Sequence, residues 1–246
     1  MMNITGKEEK YQDISFRYFY INSSIDKKII FFFHGFGGNR YFIKDSWIER
    51  ITSMGYVLII LDAYEHGDRM SEEYKALDNI RKQQRIIDTE IQTAHDALTV
   101  YDYLIDKKVI AKEKPVTAMG VSMGAAVAIY LTTIFREVKT LVSIIGSPSF
   151  VEFYKYKQSV YRFPHDKEFE ARLAKYELID PLKNYHLLED KHILLTVGLK
   201  DKIVPLDYAK ALSKKIKTTY LEYDVGHDCP EEMAEDVFKF LENESK

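Results

Sequence analysis

The 246-residue chain has one cysteine, Cys229, so no disulfide can form within it, and a reducing compartment fits. Residues 1–10 are polar and carry no apolar signal core. No apolar run approaches the ~20 residues needed to cross a bilayer. Neither sign of charge dominates. Thirty-five basic residues face 38 acidic ones, the net charge is -3, and no long block of one sign occurs. A nucleic-acid or anionic-membrane partner therefore has no electrostatic footprint. No His, Cys, Asp or Glu spacing suggests a metal site. The glycine-rich turn at 35–38 lacks the G-x-G-x-x-G spacing of a dinucleotide loop. Internal repeats, low-complexity tracts and linkers are also missing. These absences point to a single cytoplasmic domain over 1–246, and a hydrophobic content of 46% is enough to build its core.

What is present alternates between strand and helix patterns. Apolar runs at 28–33, 56–61 and 115–119 read as buried strands, and 140–145, 192–197 and 218–223 also read as strands. Residues 14–21 alternate instead, as a half-buried strand should, and pair with a segment near Ile4 through a turn at Gly6-Lys7. Helices are expected at 41–54, from the end of the 115–119 strand to about Phe135, and at 206–215 and 231–241. A long helix is expected over 81–106, where Ile87, Ile91, Ala94, Leu98, Tyr101 and Ile105 recur at steps of four and three. Such alternation predicts a mostly parallel, doubly wound α/β sheet. Residues 147–188 break the rhythm. They are rich in aromatics, hold a helical stretch at 167–177, and read as a small cap or lid inserted after strand 6.

The chain is organised around Gly120-Val121-Ser122-Met123-Gly124. An apolar strand leads in and an alanine-rich helix leads out, which places one hydroxyl at the apex of a sharp turn. A serine needs a base, and the base needs an orienting acid. In an open α/β sheet these groups belong at the carboxyl ends of strands. Asp201 follows the 192–197 strand and His227 follows the strand ending near Tyr223. Asp180, Asp207, Asp224 and Asp228 are poorer acids, because they fall in a turn, in a helix, or too near His227. The N–H groups of Met123 and of Phe36, in the glycine-rich turn, are the candidate oxyanion donors. His34 and His66, the latter with Arg69, read as braces for their loops. Cys229 reads as a buried apolar residue.

Together these residues resemble the α/β-hydrolase superfamily over nearly the whole chain. The match is closest to small bacterial carboxylesterases related to dienelactone hydrolase and to prolyl-oligopeptidase-type hydrolases. Residues 62–69, Asp-Ala-Tyr-Glu-His-Gly-Asp-Arg, are similar to the loop after the fourth strand in that group, and Ile145-Gly146-Ser147-Pro148 followed by Phe150-Val151-Glu152-Phe153 is similar as well. The resemblance implies an eight-stranded sheet, a Ser122–His227–Asp201 triad, and no cofactor. Dienelactone hydrolase uses a cysteine where this chain has Ser122, which favours ordinary ester chemistry.

The expected activity is hydrolysis of small to medium carboxylic esters, with Tyr64, Phe150 and Phe153 lining the substrate pocket. A peptidase, acyl-peptide or thioester hydrolase is the alternative, although relatives that select peptides carry a propeller domain for which this chain has no room. A ligand-binding protein on the same scaffold is a further one. The expected partner is a small-molecule ester, and a homodimer is compatible with the sequence.

Overall fold

The computed structural model describes residues 3–23 and 25–245. Met1, Met2, Ser24 and Lys246 lie outside that description, and with them the first two residues of the polar start. The strands are β1 (Ile4–Tyr11), β2 (Ile14–Ile21), β3 (Lys28–Phe33), β4 (Tyr56–Leu61), β5 (Val116–Val121), β6 (Val138–Ile144), β7 (His192–Gly198) and β8 (Thr219–Tyr223). The helices are α1 (Asp45–Ser53), α2 (Glu72–Ala76), α3 (Asn79–Gln84), α4 (Ile86–Asp106), α5 (Met123–Ile134), α6 (Phe150–Tyr161), α7 (Lys167–Ile179), α8 (Asp207–Ser213) and α9 (Glu231–Ser245).

The eight strands form one sheet in the order β1-β2-β4-β3-β5-β6-β7-β8. The β1–β2 and β2–β4 pairs are antiparallel and all the others are parallel. Apolar residues cover both faces. On one face α4, α5 and α6 pack with Phe31, Phe33 and Ala118. On the other, α1 and α9 pack with Phe32, Leu58 and Met119. Burial on both faces explains why the central strands read as unbroken apolar runs. The central helix α5 is buried from Met123 through Thr132, as its run of small and apolar residues requires.

Three expectations shift. The hairpin turn lies at Gln12-Asp13, because Gly6 sits within β1 opposite Phe19, whose ring occupies the space where a side chain would stand. The helix expected from residue 41 begins at Asp45. Before it, Asn39 accepts hydrogen bonds from Tyr41 N–H through its side chain and from Phe42 N–H through its carbonyl, which fixes a turn. The helix expected over 81–106 breaks at Arg85, whose φ of -100° and ψ of 0° leave the helical region. Asp78 caps the first piece by accepting from Arg81 N–H at 2.8 Å. α3 packs on α6 while α4 packs on α5, two directions that one straight helix cannot serve.

Residues 147–188 contain α6, α7 and a single 3-10 turn at Tyr185–Leu188. Asp180 anchors their two ends. Its buried carboxylate accepts from Ser149 Oγ–H and from the N–H groups of Val151, Leu182 and Lys183. Burial raises its pKa despite those bonds.

The junction of β5 and α5 leaves no room for side chains at two positions. A Cβ on Gly120 would stand 2.1 Å from Gly124 O, and one on Gly124 would stand 2.1 Å from Phe33 O. Gly120→Ala is expected to lower stability by about 3 kcal/mol or to prevent folding. Urea unfolding checks this, and a midpoint equal to that of the parent would contradict so close an approach.

Candidate active site

Ser122 sits between β5 and α5 with φ 56° and ψ -119°, a conformation that L side chains seldom adopt. The strain is held by the glycine contacts on either side and by a hydrogen bond from Ser122 N–H to Ile144 O at 2.8 Å. The result is a hydroxyl raised beyond the carboxyl end of the sheet. Asp201 follows β7 and His227 follows β8 on the same rim.

The structure brings these three side chains together. Ser122 Oγ lies 2.7 Å from His227 Nε2, and His227 Nδ1 lies 2.7 Å from Asp201 Oδ2. Only one tautomer satisfies both contacts with Asp201 ionised: Nδ1–H donates to the carboxylate, and Nε2 accepts from the serine. The other oxygen of Asp201 accepts from the N–H groups of Ile203 and Val204 at 2.8 and 3.0 Å. Burial pushes the Asp201 pKa up, but the hydrogen bond from His227 and those backbone donors outweigh it and hold the carboxyl below its ordinary range. Two of the competing aspartates are engaged elsewhere: Asp180 holds the inserted segment together, and Asp224 pairs with Lys200.

Met123 is the first residue of α5, where a backbone N–H has no partner within the helix. The turn from Gly35 to Gly38 is closed by Gly38 N–H donating to Gly35 O at 3.0 Å. It passes so near the serine that a Cβ on Gly35 would stand 3.6 Å from Ser122 Cβ. Phe36 and Met123 line the same cleft as Ser122.

Two neighbouring devices fix that turn. Buried His34 donates from Nδ1 to Gly35 O at 2.8 Å, and its Nε2 accepts from Ala63 N–H at 3.0 Å. Because Ala63 can only donate, the ring must be neutral. Burial accordingly lowers the His34 pKa from 6.5 to about 4. The second device is Asp62, fully buried, which accepts from the backbone N–H of Arg40 at 2.6 Å, from Arg40 Nη1 at 2.5 Å and from Asp68 N–H at 2.9 Å. His66 and Arg69 brace the same loop: Arg69 donates from its backbone N–H to His66 O at 3.0 Å and from Nη1 to Asp62 O at 3.2 Å. His66 Nδ1 donates to Tyr64 O, while Arg69 pairs with Asp96 and Asp13.

The cleft has a volume of about 1140 Å³. Phe153 lines it, but two other expected lining residues do not. Phe150 is buried in the core between Tyr130 and Tyr176, because the first turn of α6 faces inward there. Tyr64 sits at the surface with the Arg69 guanidinium over its ring. Cys229, expected to be buried, is half-buried and lines the cleft. Burial raises the Cys229 thiol to about 11. Sequence reasoning missed Trp47, Gln83, Glu90 and Lys157, all of which line the cleft. A signal existed for Glu90, which interrupts the apolar stripe of α4 three residues after Ile87 and four before Ala94. Among the described residues no group of three or more His, Cys, Asp or Glu is placed to hold a metal ion. None of the described helices is long and apolar enough to cross a membrane.

The neutral His34 makes stability depend on pH. Its folded pKa lies below its unfolded one, so the unfolded chain binds the extra proton between pH 6.5 and about 4. Stability should therefore fall as pH drops through that window, with His34 contributing up to about 3 kcal/mol of the loss. Urea unfolding of His34→Asn should give a lower midpoint at pH 7 and a flatter decline toward pH 4. A decline as steep as the parent's would remove His34 as the source.

Comparison with known proteins agrees with this architecture. Esterase YjfP of Escherichia coli (strain K12) is 24% identical over 199 residues, which cover 77% of this chain and 75% of that protein. The crystal structure of TT1662 from Thermus thermophilus superposes with a TM-score of 0.72 at 19% identity, covering 100% of this chain and 99% of the other. Acetyl xylan esterase 1 from Thermoanaerobacterium sp. JW/SL YS485 superposes with a TM-score of 0.71 at 16% identity, covering 99% and 88%. Residues 44–230 match the model of the prolyl oligopeptidase family, and the chain belongs to that family of α/β-hydrolases.

Proposed function

We propose that this hydrolase cleaves small to medium carboxylic esters through an acyl-enzyme on Ser122. The observation that carries the reading is the unbroken chain of hydrogen bonds from Ser122 Oγ through His227 to Asp201, 2.7 Å at each link. As Oγ attacks the ester carbonyl, its proton passes to His227 Nε2. Asp201, ionised and hydrogen-bonded on both oxygens, holds the ring in the productive tautomer and stabilises the imidazolium. The N–H groups of Met123 and Phe36 receive the negative charge of the tetrahedral intermediate. On collapse the C–O bond to the alcohol breaks, and His227 returns the proton to the departing alkoxide. Water then takes the place of the alcohol, His227 accepts its proton, and the acid leaves as Ser122 is regenerated. The name of the Escherichia coli relative supports the ester reading over a peptidase one.

Hydrolysis of p-nitrophenyl acetate tests the proposal. Ser122→Ala should cut kcat by roughly 10⁵-fold or more, and Asp201→Asn by about 10⁴-fold, with much smaller changes in KM. Undiminished turnover in Ser122→Ala would remove the nucleophile. Faster cleavage of p-nitroanilide peptides than of the esters would shift the assignment to peptidase.

A further inference from the structure

α3, α4 and α6 bring Gln83, Glu90 and Lys157 to one wall of the cleft that holds Ser122. All three are buried, Glu90 completely. Neither carboxyl oxygen of Glu90 has a hydrogen-bond partner, and neither does Oε1 of Gln83. The Lys157 ammonium lies 4.8 and 5.3 Å from the ring centres of Phe153 and Tyr161. Among the described residues no carboxylate comes within ion-pair distance of its Nζ. Buried polar groups left without hydrogen bonds are costly, and Glu90 and Gln83 both present such atoms beside the Lys157 ammonium on one wall of the cleft.

We propose that this wall is a subsite for a carboxylate carried by the substrate, so that the enzyme prefers esters bearing an acid group some carbons from the scissile bond. A carboxylate accepts from Lys157 Nζ–H and neutralises the ammonium. It also accepts from Glu90 when that group carries its proton, and from the Gln83 amide after a half-turn. Burial raises the Glu90 pKa well above the carboxylate range, which supplies that O–H. Burial lowers Lys157 to about 8, which still leaves it largely cationic at neutral pH. An alkyl chain would strand all three groups. A hydroxylated chain would pair with them but leave the ammonium without a counter-ion.

The inference rests on the ester reading, so one arm of its test needs no turnover. Glutarate titrated calorimetrically into Ser122→Ala should bind, and adding Lys157→Met should weaken binding at least tenfold. In the turnover arm, kcat/KM is compared for monomethyl adipate against methyl hexanoate, and for 4-acetoxybutanoate against butyl acetate, which place the carboxylate on the acyl or the alcohol half. The wild type should favour the acid-bearing member of at least one pair by tenfold or more. Lys157→Met should bring that ratio near one, and Glu90→Gln, which keeps a donor, should preserve it. Absence of both glutarate binding and any preference would overturn the subsite. So would a ratio that survives Lys157→Met, or one that favours hydroxylated chains over carboxylated ones. Turnover failing on every ester while glutarate binds through Lys157 would count against the ester reading and leave the subsite standing.

Discussion

The contact on which the site depends is between backbone and backbone. The first turn of α5 presses against the ends of β3 and β5 until only hydrogen atoms fit at Gly120 and Gly124. Ser122 is caught between them at a positive φ and cannot relax into an ordinary helical or extended conformation. The buried, close-packed interior of α5 holds that strain in place, since the helix cannot back away without opening the centre of the core. The strained serine stands above the sheet edge, where loops following β7 and β8 can meet it.

Two buried polar groups extend the same order to the glycine-rich turn. His34 and Asp62 lie at the ends of neighbouring strands β3 and β4; His34 ties the turn to the loop after β4, and Asp62 ties Arg40, two residues past the turn, to the same loop. His34 does so as a neutral ring with both nitrogens used, and Asp62 as a carboxylate meeting backbone and guanidinium donors together. Such groups are expensive to bury unless every partner is present, so they favour one loop geometry over its neighbours. The cleft wall formed by Gln83, Glu90 and Lys157 is the opposite case, with the Glu90 carboxyl and the Gln83 amide oxygen buried and left without hydrogen-bond partners.

Much of this was legible in the chain itself. Apolar runs of five or six residues marked the central parallel strands β3, β4 and β5, because burial on both faces leaves no alternation to confuse with a loop. Ser122, Asp201 and His227 each follow a strand, a place set by topology, and a reader of the sequence can find it. Turn positions were harder. Gly6 is small because Phe19 lies across from it, a contact 13 residues away along the chain that no local pattern reports. The break at Arg85 arises because α3 and α4 pack on different partners, which is likewise a tertiary fact. Pocket lining was the least legible. Phe150 and Phe153 lie in the same aromatic-rich segment, yet one faces the core and the other the cleft, and composition cannot tell a helix's two faces apart without knowing what it packs against.

The central claim is that Ser122 is made nucleophilic by His227. Treating the protein with a fluorophosphonate and locating the adduct by peptide mass spectrometry tests it most directly. Rapid phosphonylation of Ser122, lost or greatly slowed in His227→Ala while the fold is retained, is the predicted result. Labelling at another residue, or labelling of Ser122 at the same rate without the imidazole, would contradict the account.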